Sequence, residues 1–174
     1  MSLSGNRHIV LRFRDLVTEP GGTIAEHRRV LDLHRTVWWG WWMRQYEEPP
    51  RQLLGEVRDL LDQGTEPTAY LLDSGGAQLY SCTISDLRVG PPGETLASPD
   101  VNRTPEYYQR GRYPAWFLLA GIEEDSLDGK SWHFHRFPTN PDKAANEERE
   151  GEAIQSVEQI RDTDATLWVV EDRA

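Results

Sequence analysis

The sequence is poor in cysteine and in long apolar runs. Cys82 is the single cysteine, so the chain can form no internal disulfide and no cysteine-based zinc site. No stretch approaches the roughly 18 consecutive apolar residues of a membrane span. Residues 1–7 lack the apolar segment of a signal peptide. These absences predict a cytoplasmic protein without membrane association, with Cys82 as a small buried residue on a strand.

Basic residues are also scarce relative to acidic ones. The chain has 29 Asp and Glu against 19 Lys and Arg, which gives a net charge of −10. A protein that holds long nucleic acid by neutralising phosphates needs a basic footprint, so this class is disfavoured. A small pocket that reads one base is compatible with the balance, because charge can be segregated. The arginines of the first quarter indicate that an anionic ligand would meet the N-terminal part: Arg7, Arg12, Arg14, Arg28, Arg29, Arg35 and Arg44.

Familiar catalytic motifs are absent as well. The sequence has no Gly-x-Ser-x-Gly elbow, no phosphate-binding glycine-rich loop before a helix and no His-Glu-x-x-His. His133 and His135 share one face of a predicted strand, where both could ligate a metal. No spacing marks further ligands, so neither a metal nor a cofactor is predicted.

The most distinctive stretch that is present is a tryptophan run at 37–42. Four of the seven tryptophans lie within five positions there. Alternate residues of a strand face opposite sides, so Trp38, Gly40 and Trp42 share one face. The other face carries Val37, Trp39 and Trp41. Because Gly40 leaves a gap through which a flat ligand can approach, we expect a slot walled by Trp38 and Trp42 with Gly40 as its floor. The alternative is that all four indoles pack in the core.

Apolar periodicity predicts the remaining elements. Predicted strands cover 8–13, 68–73, 78–84, 115–119, 131–137 and 167–170, and the last is expected to pair with the first. Predicted helices cover 23–34, with a capping box of Thr23 and Glu26, then 51–63 and 153–161. Five to seven strands, tight hairpins and two or three flanking helices predict an α+β fold in a single domain, 1–174. Its sheet would be a small twisted β-barrel or a strongly bent mixed sheet.

Two segments lack this periodicity. Residues 90–105 form a loop that is too long for an idle connection, so it is either a binding loop or a partly disordered excursion. Residues 138–152 are highly charged and are a candidate for a mobile segment.

Further aromatic residues accompany the tryptophan run. They are Tyr70, Tyr80, Tyr107, Tyr108, Tyr113 and Trp116. Aromatic planes can stack on bases, at about 1–3 kcal/mol per base, or contact alkylated ammonium groups. Polar groups at Asp73, Ser74 and Arg112 could then fix the edge of a ligand. For each tyrosine taken alone, cross-strand packing is the simpler interpretation.

The order of these features resembles the PUA-like superfamily, in particular its EVE and YTH branch. The features are the Trp-bearing strand, the hairpin 70–76 that returns through Leu79-Tyr80, then Tyr107-Tyr108, and the strand 114–119 leading to Ile122-Glu123. The resemblance covers residues 8–122. It implies a small twisted β-barrel with flanking helices, and a pocket that accepts a flipped, often modified, base. Its walls would be Trp38, Trp39, Trp41 and Trp42, with Ser74 and Tyr80 nearby.

The sequence therefore favours a binding module that captures a modified nucleobase or nucleotide in an aromatic slot. The predicted ligand-binding residues are Trp38, Trp39, Gly40, Trp41, Trp42, Asp73, Ser74, Tyr80, Tyr107, Tyr108, Arg112 and Trp116. The predicted partner is modified nucleic acid or a nucleotide. One alternative is a nucleotide or phosphoester hydrolase in which His133 and His135 meet Asp125 or Asp128. Another is an interaction domain whose exposed tryptophans contact a partner protein or domain.

Overall fold

The computed structural model describes residues 3, 5–140 and 147–174. Its strands are β1 (Arg7–Phe13), β2 (Val37–Trp41), β3 (Thr68–Asp73), β4 (Gln78–Val89), β5 (Leu96–Ala97), β6 (Arg112–Tyr113), β7 (Ala115–Asp125), β8 (Trp132–Arg136) and β9 (Leu167–Asp172). Its helices are α1 (Gly22–His34), α2 (Arg51–Asp62) and α3 (Val157–Arg161), with 3₁₀ turns at Val101–Arg103 and Glu106–Tyr108. None of the described helices has the length and apolar character needed to cross a membrane.

Seven of the strands form one mixed sheet. Their order is β2-β7-β4-β3-β1-β9-β8, and β5 pairs with β6 separately. β1 and β3 run parallel, whereas the other neighbours are antiparallel. The predicted pairing of the last strand with the first is confirmed, with Arg7 opposite Glu171. The α+β prediction is likewise confirmed.

The residues in and just after helix α2 are sufficient to explain why this helix forms and where it ends. Five apolar residues predicted the helix by their spacing; of these, Leu53, Leu54 and Val57 are buried, and Leu60 and Leu61 are half-buried. Gly64 follows its end with a φ of +80°, a conformation that glycine adopts without a Cβ clash. The predicted helix is confirmed.

The β3–β4 hairpin also follows from local chemistry. The Asp73 carboxylate accepts hydrogen bonds from the backbone N–H groups of Gly75, at 2.9 Å, and Gly76, at 3.1 Å. This Asx turn reverses the chain where the sequence predicted a turn. The returning strand β4 runs on to Val89, beyond the predicted end at residue 84.

The start of α1 differs from the prediction. Its N-cap is Gly21, with no side-chain cap, and Glu26 pairs with Arg29 instead of reaching back. The predicted capping box is wrong because Asp15, in the preceding loop, takes those donors. Its carboxylate accepts from the N–H of Gly21 at 2.9 Å and of Thr23 at 3.0 Å. Hydrogen bonds bind this loop to the helix.

The last helix is shorter than predicted. α3 begins at Val157 and not near residue 153, because Ser156 and Gln159 form a capping box at its start. Of the predicted mobile segment 138–152, residues 141–146 lie outside the described residues. Thr139, just before them, is fully buried.

The seven-stranded sheet is strongly bent. Phe13 of β1 meets Trp39 of β2 edge-on at 5.3 Å between ring centroids, although three strands separate β1 from β2 in the sheet. The Trp41 indole N–H donates to Thr166 Oγ1, next to β9, at 3.1 Å. The main core fills this bend. Among the described residues, β2 and β8 are the two edge strands of the sheet, and they do not pair with each other. The bent mixed sheet is therefore observed, and a closed barrel is not.

A buried carboxylate joins the segment after β2 to the far side of the bend. Glu47 is 3% exposed, and its carboxylate accepts from the Thr166 N–H at 3.0 Å and from the Thr166 hydroxyl at 2.7 Å. It also accepts from the Thr139 hydroxyl and from the Arg44 N–H at 3.1 Å. These bonds hold the bend together where no strand pairing among the described residues does.

Candidate functional site: an aromatic cavity beside the edge strand

A cavity of about 180 Å³ lies between the edge strand β2 and the end of β1. Its lining is mostly aromatic and apolar, and it comes from four separate parts of the chain. The lining residues are Arg12, Phe13, Arg14, Leu16, Val17, Thr23, Trp39, Gly40, Trp42, Tyr107, Tyr108 and Tyr113. The cavity therefore depends on the bend of the sheet, which brings β1 and β2 together.

Gly40 makes room for an aromatic ring. A Cβ at Gly40 would lie 2.5 Å from Tyr113 Cε2, and a Cβ at Gly111 would lie 2.7 Å from the same atom. The Tyr113 ring thus packs between two glycines and lies on the backbone of β2. The space over Gly40 that was expected to be a slot between Trp38 and Trp42 is occupied by this ring, and the cavity opens beside it.

The segment 90–113 covers the outer face of β2 and β7. The buried Trp116 indole N–H donates to the Leu96 carbonyl at 2.9 Å, which fixes the segment to the sheet. Tyr113 then contacts Trp116, with ring centroids 5.1 Å apart. Tyr108 contacts both Tyr113, at 5.6 Å, and Tyr107, at 4.6 Å. This long segment supplies three tyrosines to one wall of the cavity.

A fully buried histidine stands behind the same wall. His27 of α1 lies 4.5 Å from Trp39 and 5.4 Å from Tyr108 between ring centroids. Its Nδ1 is 2.7 Å from the Thr23 carbonyl, and a carbonyl can only accept, so Nδ1 carries the proton. Burial lowers the His27 pKa to about 4, which leaves the ring neutral. Nε2 is a buried acceptor without a hydrogen-bond partner among the described residues.

The tyrosines of the wall are neutral donors near pH 7. Burial raises the pKa of Tyr107 to about 12, with a smaller opposing effect of the Thr23 side chain. Burial also raises the pKa of Tyr108. Their hydroxyls can therefore donate or accept a hydrogen bond without introducing charge into the aromatic wall.

The mouth of the cavity is basic and apolar. Among the described residues that line it, Arg12 and Arg14 are the only charged ones, and no acid is present. Burial lowers the pKa of Arg12, and the nearby Arg44 and Arg14 act in the same direction, whereas Asp164 and Tyr46 oppose them. The rim also exposes apolar side chains, with exposed fractions of 73% for Leu16 and 54% for Trp42.

Some predicted site residues meet at this cavity and others do not. Those that line it are Trp39, Gly40, Trp42, Tyr107 and Tyr108. Trp38 is buried without lining it, Trp41 lies in the core, and Trp116 is buried behind Tyr113. Tyr80 packs in the core beneath Arg28, and Arg112 donates to the Thr95 carbonyl. Asp73 and Ser74 build the hairpin turn, where Ser74 donates to the Phe13 carbonyl.

The sequence prediction omitted seven of the lining residues. They are Arg12, Phe13, Arg14, Leu16, Val17, Thr23 and Tyr113. Arg12 and Arg14 belong to the N-terminal arginine set that the charge pattern associated with an anionic ligand. Tyr113 belongs to the aromatic set, and Gly111 two positions earlier was a usable signal of a close approach. Leu16 and Val17 stand in a loop, where their sequence carries no signal for a cavity.

The residues considered for hydrolysis have other contacts. Asp125 forms an ion pair with Lys130 at 2.6 Å, and His133 Nδ1 lies 3.2 Å from the Ser131 carbonyl. Within residues 3, 5–140 and 147–174, no three His, Cys, Asp or Glu side chains are grouped so that they could hold a metal ion.

Comparisons with known proteins place the fold in a family. A search of curated proteins gave no match, and a search of solved structures gave none either. The family model described as Pua-like matches residues 9–174, nearly the whole chain and further than the segment 8–122 that carried the resemblance. The chain therefore belongs to the PUA-like family.

Proposed function

We propose that the aromatic cavity binds one planar ring, and that its ligand is a modified nucleobase presented by a nucleotide or a nucleic acid strand. The observation that carries this proposal is the lining itself, in which Trp39, Trp42, Tyr107, Tyr108 and Tyr113 surround one opening. Aromatic planes in this arrangement favour a flat partner on which they can stack.

The size of the cavity limits what can enter. Pockets for drug-sized ligands measure roughly 300–1,000 Å³, whereas an apolar cavity of about 150 Å³ holds benzene. At about 180 Å³ the cavity suits a single six-membered ring with a small substituent. We infer that a pyrimidine base enters and that its sugar stays outside.

The energetics of capture are favourable for such a ring. Stacking contributes about 1–3 kcal/mol per base, and extrusion of a base from a duplex costs a few kcal/mol. Contacts with Trp39 on one side and Tyr108 on another can offset that cost. The neutral hydroxyls of Tyr107 and Tyr108 add hydrogen bonds to the edge of a base.

Membership of the PUA-like family also supports a nucleic-acid ligand. PUA-like domains generally bind nucleic acids. Placement in the EVE and YTH branch is part of this proposal, because the order of features across residues 8–122 and the aromatic cavity agree with a pocket for a flipped base.

Calorimetric titration with a panel of nucleosides tests the proposal. The panel contains cytidine, uridine and their ring-methylated forms, with adenosine and guanosine as two-ring comparisons. We expect at least one pyrimidine to bind more tightly than either purine. Trp42→Ala should weaken that binding about tenfold, or 1.4 kcal/mol. Leu33→Ala, at an exposed apolar residue outside the lining, is the control. Heat signals that are absent throughout, or equal affinity of wild type and Trp42→Ala, would refute ring binding.

A protein-interaction surface is the second candidate function. It is favoured by the exposed apolar rim of Leu16, Val17 and Trp42, of which Val17 is 75% exposed. The double variant Leu16→Ser, Val17→Ser separates the two functions. If this variant still binds the ring but no longer binds a protein partner of the wild type, the rim is the surface that the partner recognises.

A further inference from the structure

We propose that the ligand carries a phosphate next to its ring, and that Arg12 and Arg14 hold this phosphate at the mouth of the cavity. The proposal rests on the proposed function, because the ring places the phosphate. It adds to that function the recognition of an anionic group and the residues that recognise it.

Arg14 is free to bind a ligand. Its side chain is exposed, and it makes no hydrogen bond or ion pair with any residue in the described ranges. The neighbouring carboxylate of Asp15 accepts from the N–H groups of Gly21 and Thr23 at the start of α1. Asp15 and Asp73 line a second groove with Arg14, and both carboxylates accept from backbone N–H groups instead of pairing with its guanidinium.

Arg12, in contrast, is held in place. Its Nη1 donates to the Thr163 carbonyl at 2.6 Å, which fixes the guanidinium while leaving other N–H groups for a ligand. Arg44, which also adds to the positive charge around Arg12, is different because it is paired with Asp164. The mouth thus contains one fixed and one free guanidinium group, without an acid among the described residues of the lining.

The charge of the cavity lining contrasts with that of the rest of the molecule. With a net charge of −10, a cavity lined by two arginines and no acid among its described residues is an exception that favours an anionic partner; the nearby Asp164, which also acts on Arg12, is paired with Arg44. A groove on the other side of Tyr107 shows the usual pattern, since Glu19, Glu26 and Glu106 line it together with arginines. Of these two openings, the aromatic cavity is the one suited to a phosphate.

The size of the cavity determines where a phosphate would lie. A cavity of about 180 Å³ admits the ring and leaves the sugar outside. A phosphate on that sugar then lies at the mouth, where guanidinium groups can donate paired hydrogen bonds to its oxygens. The same chemistry would recognise a free nucleotide or one phosphate of a nucleic acid strand.

A matched ligand series tests this inference. The probes are the pyrimidine nucleoside that binds best in the panel, its 5′-monophosphate, its 3′-monophosphate and a trinucleotide with the same base in the centre, with inorganic phosphate as competitor. In wild type at low salt we expect one monophosphate to bind at least tenfold more tightly than the nucleoside. A trinucleotide that binds more tightly than the monophosphate identifies a strand as the source, and equal affinities identify a free nucleotide.

Two variants and a control assign the effect to the arginines. Arg14→Gln should reduce the tenfold preference to threefold or less. Arg12→Lys keeps the charge but should lower the preference, because an ammonium group cannot form the paired bonds. Arg29→Gln, on α1 and paired with Glu26, should leave the preference at tenfold.

The outcomes separate the two proposals. A monophosphate that binds no better than the nucleoside overturns the phosphate assignment, and so does a preference that survives Arg14→Gln and Arg12→Lys; ring binding stands in both cases. Failure of every nucleoside and nucleotide removes the proposed function and this inference with it.

Discussion

Gly40 and Tyr113 show how two residues far apart in sequence determine one wall of the cavity. The Tyr113 ring lies against the backbone of β2 because neither Gly40 nor Gly111 has a side chain to exclude it. From the sequence, Gly40 was expected to leave room for a ligand between Trp38 and Trp42. The principle of a close approach at glycine was correct, but the group that approaches is part of the protein.

Gly40→Ala should therefore destabilise the protein and weaken ring binding. The added methyl forces the Tyr113 ring outward, and overpacking of this kind costs about 1–3 kcal/mol. Gly55→Ala is the control, because a Cβ at that helical position meets nothing within 4 Å, and it should stabilise by about 0.5–1 kcal/mol. Urea unfolding measures both. Tyr113→Ala should relieve the clash in the double variant, so additive effects of the two changes would contradict this account.

The neutral, buried His27 predicts a pH dependence of stability. Its pKa falls from 6.5 to about 4 on folding. Between these values the unfolded chain binds the proton and the folded chain does not, so the free energy of unfolding falls as the pH falls. The full contribution is present above pH 6.5, and up to about 3 kcal/mol is lost by pH 4.

The measurement is the difference in unfolding free energy between pH 7 and pH 4.5. His27→Gln should show a smaller loss than wild type, while His34→Gln, on the same helix but partly exposed, should behave as wild type. Burial also lowers the pKa values of His8 and His135, and these contributions cancel in the comparison. Equal losses in wild type and His27→Gln would show that His27 does not cause the slope.

Helices, strands and turns could be predicted from the sequence where the interactions that form them join residues close in the chain. Helix α2 has its apolar stripe and terminal glycine within one stretch, and the β3–β4 hairpin has its Asx turn in Asp73 and the two glycines that follow. The start of α1 was mispredicted because its cap comes from Asp15, eight residues before Thr23. The order of strands, with β1 parallel to β3, depends on contacts across about 60 residues that no local pattern contains.

The segment after β2 owes its position to the carboxylate of Glu47. Glu47→Gln should destabilise the protein by about 2–4 kcal/mol, because an amide cannot accept from all of the donors in Thr139, Thr166 and Arg44, and its own N–H groups would lie unpaired. Glu48→Gln is the control, since the neighbouring side chain is exposed. Urea unfolding gives both values. A loss below about 0.5 kcal/mol for Glu47→Gln would contradict a role in holding the bend.

At the scale of the whole molecule, the cavity is a product of the bend. The loop before α1, the edge strand β2, the end of β1 and the segment 90–113 meet only because the sheet curves. The aromatic and arginine residues were visible in the sequence, so the chemistry of the site could be predicted in part. The sequence could not predict which of these residues would line the cavity. Trp39 and Trp41 have the same position in the strand pattern, yet of these two only Trp39 reaches the opening.

The charge distribution of the whole molecule predicts how binding responds to salt. For single strands, the logarithm of affinity falls with the logarithm of salt concentration by about 0.7 for each phosphate neutralised. Arg12 and Arg14 together hold one phosphate, which gives a slope of about −0.7, and Arg14→Gln should bring the slope closer to zero. A protein that contacts six phosphates would show a slope of about −4.

Because the remaining surface is acidic, lengthening an oligonucleotide from three to twelve nucleotides should add no affinity. Titrations at about 50 to 300 mM salt measure both quantities, and a steep slope together with affinity that rises with length would mean that a basic surface elsewhere binds the strand.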